Sequence, residues 1–189
     1  MNISWPDFLL NKLLLTVFPI IQTERFLLRE IVKGDQQKIY EGLSHPDVIK
    51  HYGISYNSFE ATAGQIEWFN NIYREKTGIW WGISSRQSTE LIGACGFNTI
   101  SFEHFNAQIG HWLLPAHWRQ GILAEIMPQL IRHAFDELHL HKIIAEVEVE
   151  NIPSKKVLLK FGFQYEGTLT ECEFKNGKFI DLEYYGLIV

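Results

Sequence analysis

Asn106-Ala-Gln-Ile-Gly-His-Trp-Leu-Leu-Pro115-Ala-His-Trp-Arg-Gln-Gly121 is the stretch on which the fold turns. Ala107 to Leu114 reads as a strand, and Pro115 stops it because proline cannot donate to a sheet ladder. The turn Ala116 to Gly121 then feeds an apolar stripe at helical spacing: Met127, Leu130, Ile131, Ala134, Phe135 and Leu138. A glycine-bearing turn between a strand and a helix start is a standing anion site. Free backbone N–H groups and the positive end of the helix dipole point at whatever binds there, so a phosphate-bearing cofactor is the first expectation.

Working outward, Thr23-Glu-Arg-Phe-Leu-Leu-Arg29 alternates like a strand. Gly34-Asp35 opens a helical stretch through Leu43, with Asp35 as its N-cap. Glu60 to Arg74 is a second helix, carrying Ile66, Phe69 and Ile72 or Tyr73 on one face. Trp80 to Ser84 and Leu91 to Ile100 are strands around the turn Arg86-Gln-Ser-Thr89, and a further turn spans Phe102 to Phe105. Beyond the central helix, Lys142 to Glu150 alternates Ile143, Ala145, Val147 and Val149 against Glu146, Glu148 and Glu150. A helix over Pro153 to Phe161 follows. Gly167 to Phe174 and Phe179 to Ile188 then flank Asn176-Gly177, a strong hairpin signal. The expectation is a mixed α/β chain with about seven strands and four or five helices.

At 189 residues, 46% of them hydrophobic and 14% aromatic, the chain can bury a sizeable core. Its net charge of -5, with no basic cluster, argues against nucleic acid or an anionic membrane as partner. Two cysteines, Cys95 and Cys172, make no disulfide framework or metal-ligand spacing and suit a reducing cytoplasm. The leucine-rich stretch Phe8 to Phe18 is shorter than the roughly 20 apolar residues of a membrane span and lacks the features of a secretory signal. It is read as a helical extension (residues 1–19) packing on the domain (residues 20–189) or on a second subunit of a homodimer.

Thr23-Glu-Arg, Ile109-Gly-x-Trp112, Trp118-x-x-Gly121, Asn151-x-x-Ser154 and Gly162-Phe163, in this order, resemble the GNAT superfamily, and within it the ribosomal-protein N-terminal acetyltransferase branch. The resemblance covers roughly Ile20 to Val189. It implies a twisted, mostly antiparallel seven-stranded sheet in which the Asn106–Leu114 and Lys142–Glu150 strands run parallel and splay apart around acetyl-CoA. The pyrophosphate would then sit on the amides of Arg119, Gln120, Gly121, Ile122, Leu123 and Ala124. The pantetheine arm would pair with backbone at Leu113 and Leu114, and the adenine end would lie near the helix opened by Asn151. One departure stands out: the family pattern has glycine or alanine where this chain has Leu123, with Ala124 one step late. Pro128, inside the helix, removes an N–H and presses on the carbonyl of Ala124.

Acetyl transfer from a thioester to an amine needs a deprotonated amine, donors for the tetrahedral oxyanion and a proton for the thiolate. Backbone N–H groups around Leu113 and Leu114 are the oxyanion candidates. The resemblance implies Ser154 near the sulfur as the acid, although Asn151 or Ser154 also suits a helix cap. It implies Glu173, ahead of Phe174-Lys-Asn-Gly177, as the base facing the amine. Glu148, on a strand lining the opening, and an ordered water are the competitors, and Tyr184 or Tyr185 could reach the sulfur. Trp68, Trp80 and Trp81 read as core or groove wall. The eight histidines, His139 and His141 among them, show no metal spacing.

The expected activity is therefore direct acetyl transfer in a ternary complex, without metal or covalent enzyme intermediate. The acceptor is a protein N-terminal α-amine such as that of a ribosomal protein. A small amine (an antibiotic or a polyamine) is the alternative acceptor, and a non-catalytic acyl-CoA-binding sensor is the rival from another class.

Overall fold

The computed structural model describes residues 17–189. Strands β1 (Ile21–Gln22), β2 (Phe26–Arg29), β3 (Ile79–Ser85), β4 (Leu91–Ser101), β5 (Asn106–Leu113), β6 (Lys142–Glu148), β7 (Gln164–Lys175) and β8 (Lys178–Ile188) form one sheet. Its order is β1-β2-β3-β4-β5-β6-β8-β7, and β5 with β6 is the parallel pair in it. The sheet thus has eight strands where seven were expected, the extra one being the two-residue β1 hairpinned onto β2. The reason lies at Thr23: its N–H donates to the Phe26 carbonyl at 2.9 Å and its hydroxyl accepts from the Phe26 N–H at 3.0 Å. That closes a turn over residues 23–25 in place of the expected continuous strand. The expected helix from Phe8 to Phe18 falls almost wholly outside the described residues; Phe18 itself packs on Tyr73 and Trp81.

Helices cover both faces. Helices α1 (Gln36–Leu43), α2 (Pro46–Ile49) and α3 (Ala63–Glu75) bury Ile39, Leu43, Val48, Ile66 and Phe69 against Trp80 and Trp112 on one side. On the other, α4 (Ile122–Arg132) buries Ile122, Ile126, Met127 and Leu130 against Trp81, Phe97 and Ile109. Adjacent residues of a strand point to opposite faces, so Trp80 anchors one core and Trp81 the other. Both are buried, as the core reading expected, and Trp68 packs partly buried against the Trp80 side. Helix α5 (Ile152–Lys160) precedes β7.

Several boundaries differ from expectation, β7 among them, which starts at Gln164 and not Gly167. Asp35 does not cap α1 through its side chain: its carboxylate accepts from the Val32 N–H and from both terminal nitrogens of Arg29, each at 2.8 Å. β6 ends at Glu148, not Glu150, because the Asn151 N–H turns back to the Glu148 carbonyl at 2.8 Å. Helix α5 begins one residue earlier than expected, at Ile152, and ends at Lys160. The Asn176-Gly177 hairpin forms as read, both residues at positive φ (51° and 80°), the geometry of a type I′ turn.

Candidate active site

β5 and β6 pair over Asn106–Lys142, Ala107–Ile143 and Gln108–Ile144, and then part company. Each strand continues, β5 held on its far side by β4 and β6 by β8. The Leu114 N–H donates to the Ile92 carbonyl at 2.9 Å, toward β4. Successive main-chain groups alternate sides along a strand, so those of His111 and Leu113 face the opening. This corrects the expected pair of oxyanion donors: the Leu114 amide is already committed, and the Leu113 amide is the one presented. The Leu113 carbonyl accepts the Trp118 indole N–H at 2.8 Å, which fixes the turn beyond β5 to the strand end. Burial pushes the imidazole of His111 down to about 4, so that ring is neutral beside the opening at pH 7.

The turn ahead of α4 keeps its anion-site character. Gly121, at φ 74°, lies in the left-handed region that costs glycine little, and α4 starts immediately behind it. Among the described residues, no hydrogen-bond partner takes the amides of residues 119–124. Six successive free N–H groups at a helix N-terminus fit a diphosphate, and Arg119, Gln120, Gly121, Ile122, Leu123 and Ala124 are the residues that supply them. Leu123 turns its partly buried side chain onto the core, so the departure from the family pattern does not displace the helix start. Pro128 is also accommodated within α4, which runs on into a π-helical turn over His133–Glu137.

Glu125 ties this turn to the start of the domain. Its carboxylate accepts from the Thr23 hydroxyl at 2.6 Å, the Arg25 N–H at 2.7 Å and the Arg25 Nε at 2.6 Å. Arg25 also donates to the Gln120 carbonyl at 3.2 Å. Burial would raise the Glu125 carboxyl, but these donors outweigh it and hold it below the usual carboxylate range. The Thr23-Glu-Arg signature is thus the brace of the anion loop. Sequence reading took it for a strand, although an acidic residue in the first turn of α4 was the available signal.

At α5, Asn151 is the cap: its Oδ1 accepts from the Ser154 N–H at 3.2 Å. The Ser154 hydroxyl is left without a recorded partner among the described residues, half-buried one turn into the helix. Register places the remaining candidates. Glu146 pairs with Tyr184, Glu148 with Leu182, and Ile180 with Glu173, so all six share one sheet face, that of α1, α2 and α3. Glu173 is exposed there. Tyr184 is pushed up to about 12 by burial and by Glu146. Tyr185 lies on the opposite face, buried, donating to Glu183 at 2.6 Å.

Between that face, the end of α2 and the β7–β8 hairpin lies a cleft of about 380 Å³, bordered by Lys50, His51, Glu148, Lys175, Phe179 and Asp181. One Glu148 oxygen meets His51 Nδ1 at 2.7 Å, and the other takes the Lys175 ammonium, which also donates to the Lys50 carbonyl at 2.8 Å. Burial alone would raise Glu148, but Lys175 and His51 together hold it below the ordinary glutamate range. Sequence reasoning missed His51 and Lys175, which belong to no motif and meet only through the fold. Among the described residues no group of His, Cys, Asp or Glu gathers as metal ligands, and no helix is long and apolar enough to cross a membrane.

A splayed parallel pair, an open amide loop at a helix start and an acid-bearing cleft across the sheet define an acyl-CoA-dependent N-acyltransferase. The model of the acetyltransferase (GNAT) domain matches residues 25–164, and the chain belongs to that family. The uncharacterised N-acetyltransferase YoaA of Bacillus subtilis (strain 168) is 37% identical over 173 residues, 91% of this chain and 98% of that protein. The ribosomal-protein-serine acetyltransferase of Escherichia coli (strain K12) is 36% identical over 100 residues, 53% of this chain and 56% of that protein. The fold matches the crystal structure of spermidine N-acetyltransferase from Vibrio cholerae in complex with CoA and spermine, with a TM-score of 0.77 at 24% identity. That match covers 86% of this chain and 95% of the other. The chain is an acetyl-CoA-dependent N-acetyltransferase.

Proposed function

We propose that residues 20–189 are a catalytic domain that acetylates a protein N-terminal α-amine, such as that of a ribosomal protein, in the cytoplasm. The observation that carries the transfer reading is the run of six unpartnered amides beside the splayed strands. They would hold the diphosphate of acetyl-CoA, with the Leu113 N–H as oxyanion donor and the Ser154 hydroxyl as proton source for the departing thiolate. The reaction passes through a direct ternary complex. A peptide acceptor is favoured by the mixed charge of the cleft, where Lys50, Lys175 and Lys178 alternate with Glu148, Glu150 and Asp181. A peptide terminus brings one ammonium followed by polar amides, whereas a polyamine brings only cations and suits a wall of carboxylates. The partial likeness to the E. coli ribosomal-protein enzyme supports the same choice.

The amine's proton has two destinations on the acceptor face, the exposed carboxylate of Glu173 and the ring of His51. The test of the acceptor is a panel of free-N-terminal octapeptides, spermidine and an aminoglycoside, assayed for CoA release with acetyl-CoA. Turnover of peptides at least about tenfold above the others in kcat/KM supports the proposal, that ratio being roughly 1.4 kcal/mol in transition-state binding. Preference for spermidine assigns the small-amine reading. Tight acetyl-CoA binding without turnover of any of them assigns a sensor.

A further inference from the structure

The second destination can be argued further, resting on the transfer reading above. Lys175 and His51 hold Glu148 ionised, and an ionised carboxylate only accepts hydrogen bonds. The 2.7 Å contact therefore makes His51 Nδ1 the donor, and the neutral ring carries its lone pair on Nε2. No described residue bonds Nε2. Nor is it among the buried polar atoms of the described residues that lack a partner, which are Arg29 Nε, Trp112 Nε1 and His133 Nε2, so it is accessible to water, and His51 lines the cleft. Glu148 is the last residue of β6, the strand that bounds the opening, and shares its sheet face with Glu173 and Tyr184.

We propose that His51 is the general base: its Nε2 takes the proton of the acceptor's ammonium, and Glu148 is the positioning residue that fixes the ring and its tautomer. A carboxylate held as an ion pair is a poor proton acceptor, whereas a ring nitrogen with a free lone pair is a good one. The charged groups that line the cleft with the ring are Glu148 at the end of β6, Glu150 beyond it, Lys175, Lys178 and Asp181 from the hairpin, and the neighbouring Lys50. In the step, the ammonium gives one proton to Nε2 and the free amine attacks the thioester carbonyl. The C–N bond forms to give the tetrahedral oxyanion, which collapses as the C–S bond breaks, and one proton from the attacking nitrogen ends on the CoA thiol. The proton on Nε2 passes to water.

The experiment uses His51→Asn, whose amide keeps a donor toward Glu148 but offers no base, alongside Glu148→Gln and Glu173→Gln. Rates are read with acetyl-CoA and both a serine-initiated octapeptide and spermidine. The expected result is a loss in kcat of about 10²–10⁴-fold in His51→Asn. Acetyl-CoA affinity and Tm should stay unchanged, and the gap should narrow above pH 9, where the acceptor is neutral without help. Glu148→Gln should lose less, and Glu148→Asp should recover part of that loss. In parallel, ¹⁵N NMR of the histidines should show His51 protonated on Nδ1 at neutral pH in the parent and mixed in Glu148→Gln. Near-parental turnover of His51→Asn, or the large loss appearing in Glu173→Gln instead, overturns the proposal. A parent inactive with both acceptors but showing the Nδ1 tautomer overturns the transfer reading, and the base with it, while leaving the dyad's geometry standing.

Discussion

Glu148 touches an imidazole with one oxygen and an ammonium with the other, and this double engagement has a thermodynamic consequence. In the unfolded chain its carboxyl titrates near the ordinary glutamate value of ~4.3, and in the fold it titrates lower. The stability this contributes is fully present above that ordinary value and is lost as pH falls through the lower folded one. Urea midpoints measured from pH 6 down to pH 3 should therefore fall less steeply in Glu148→Gln than in the parent. An identical slope would mean that the carboxyl gains nothing from its two partners. No motif announced this cluster, because His51, Glu148 and Lys175 are local neighbours only after folding. Glu173 and Ser154 were named through the resemblance alone, from motif position. The structure supplies what the resemblance could not: the face on which Glu173 stands, and Asn151 as the cap that leaves the Ser154 hydroxyl available.

Helix α4 is the element whose start sets the proposed cofactor site. Its N-terminus was readable from Pro115, Gly121 and the apolar stripe, since each of these acts locally on the backbone. Its brace was not, because Glu125 and the Thr23–Arg25 turn lie about a hundred positions apart in sequence, a separation that periodicity cannot report. The strand limits failed for a related reason: at residues 23–25 a side-chain hydrogen bond overrides the alternating pattern. Gly121→Val places a β-branched side chain at a positive φ and over the free amides, and should abolish acetyl-CoA binding while the fold persists. Calorimetry giving equal affinity in mutant and parent would remove the loop from the cofactor site. Leu123→Ala should leave that affinity within about tenfold, or 1.4 kcal/mol, because the leucine already points into the core and not at the phosphates. A larger loss would mean that Leu123 shapes the loop from beneath.

Across the whole molecule, two cores on opposite faces of one sheet hold the splayed strands from both sides. Gly42 in α1 approaches Trp112 of β5 so closely that an added Cβ would stand 2.3 Å from the indole. Gly42→Ala should force the ring to shift and cost about 1–3 kcal/mol in urea unfolding, with a rise in the KM for the acceptor because β5 borders the opening. Unchanged stability would show that the α1 layer yields freely. The sheet order also bears on when this protein can work. β8, latest in sequence, is not at the rim: it is inserted between β6 and β7, and β7 reaches the sheet only through it. While the chain is being synthesised, β6 must wait with an open flank, and Lys175 cannot be delivered to Glu148, until residues 178–188 have left the ribosome. Assembly of the Glu148 cluster is therefore deferred until β8 has been made, and a nascent chain short of that strand lacks the contact that positions His51.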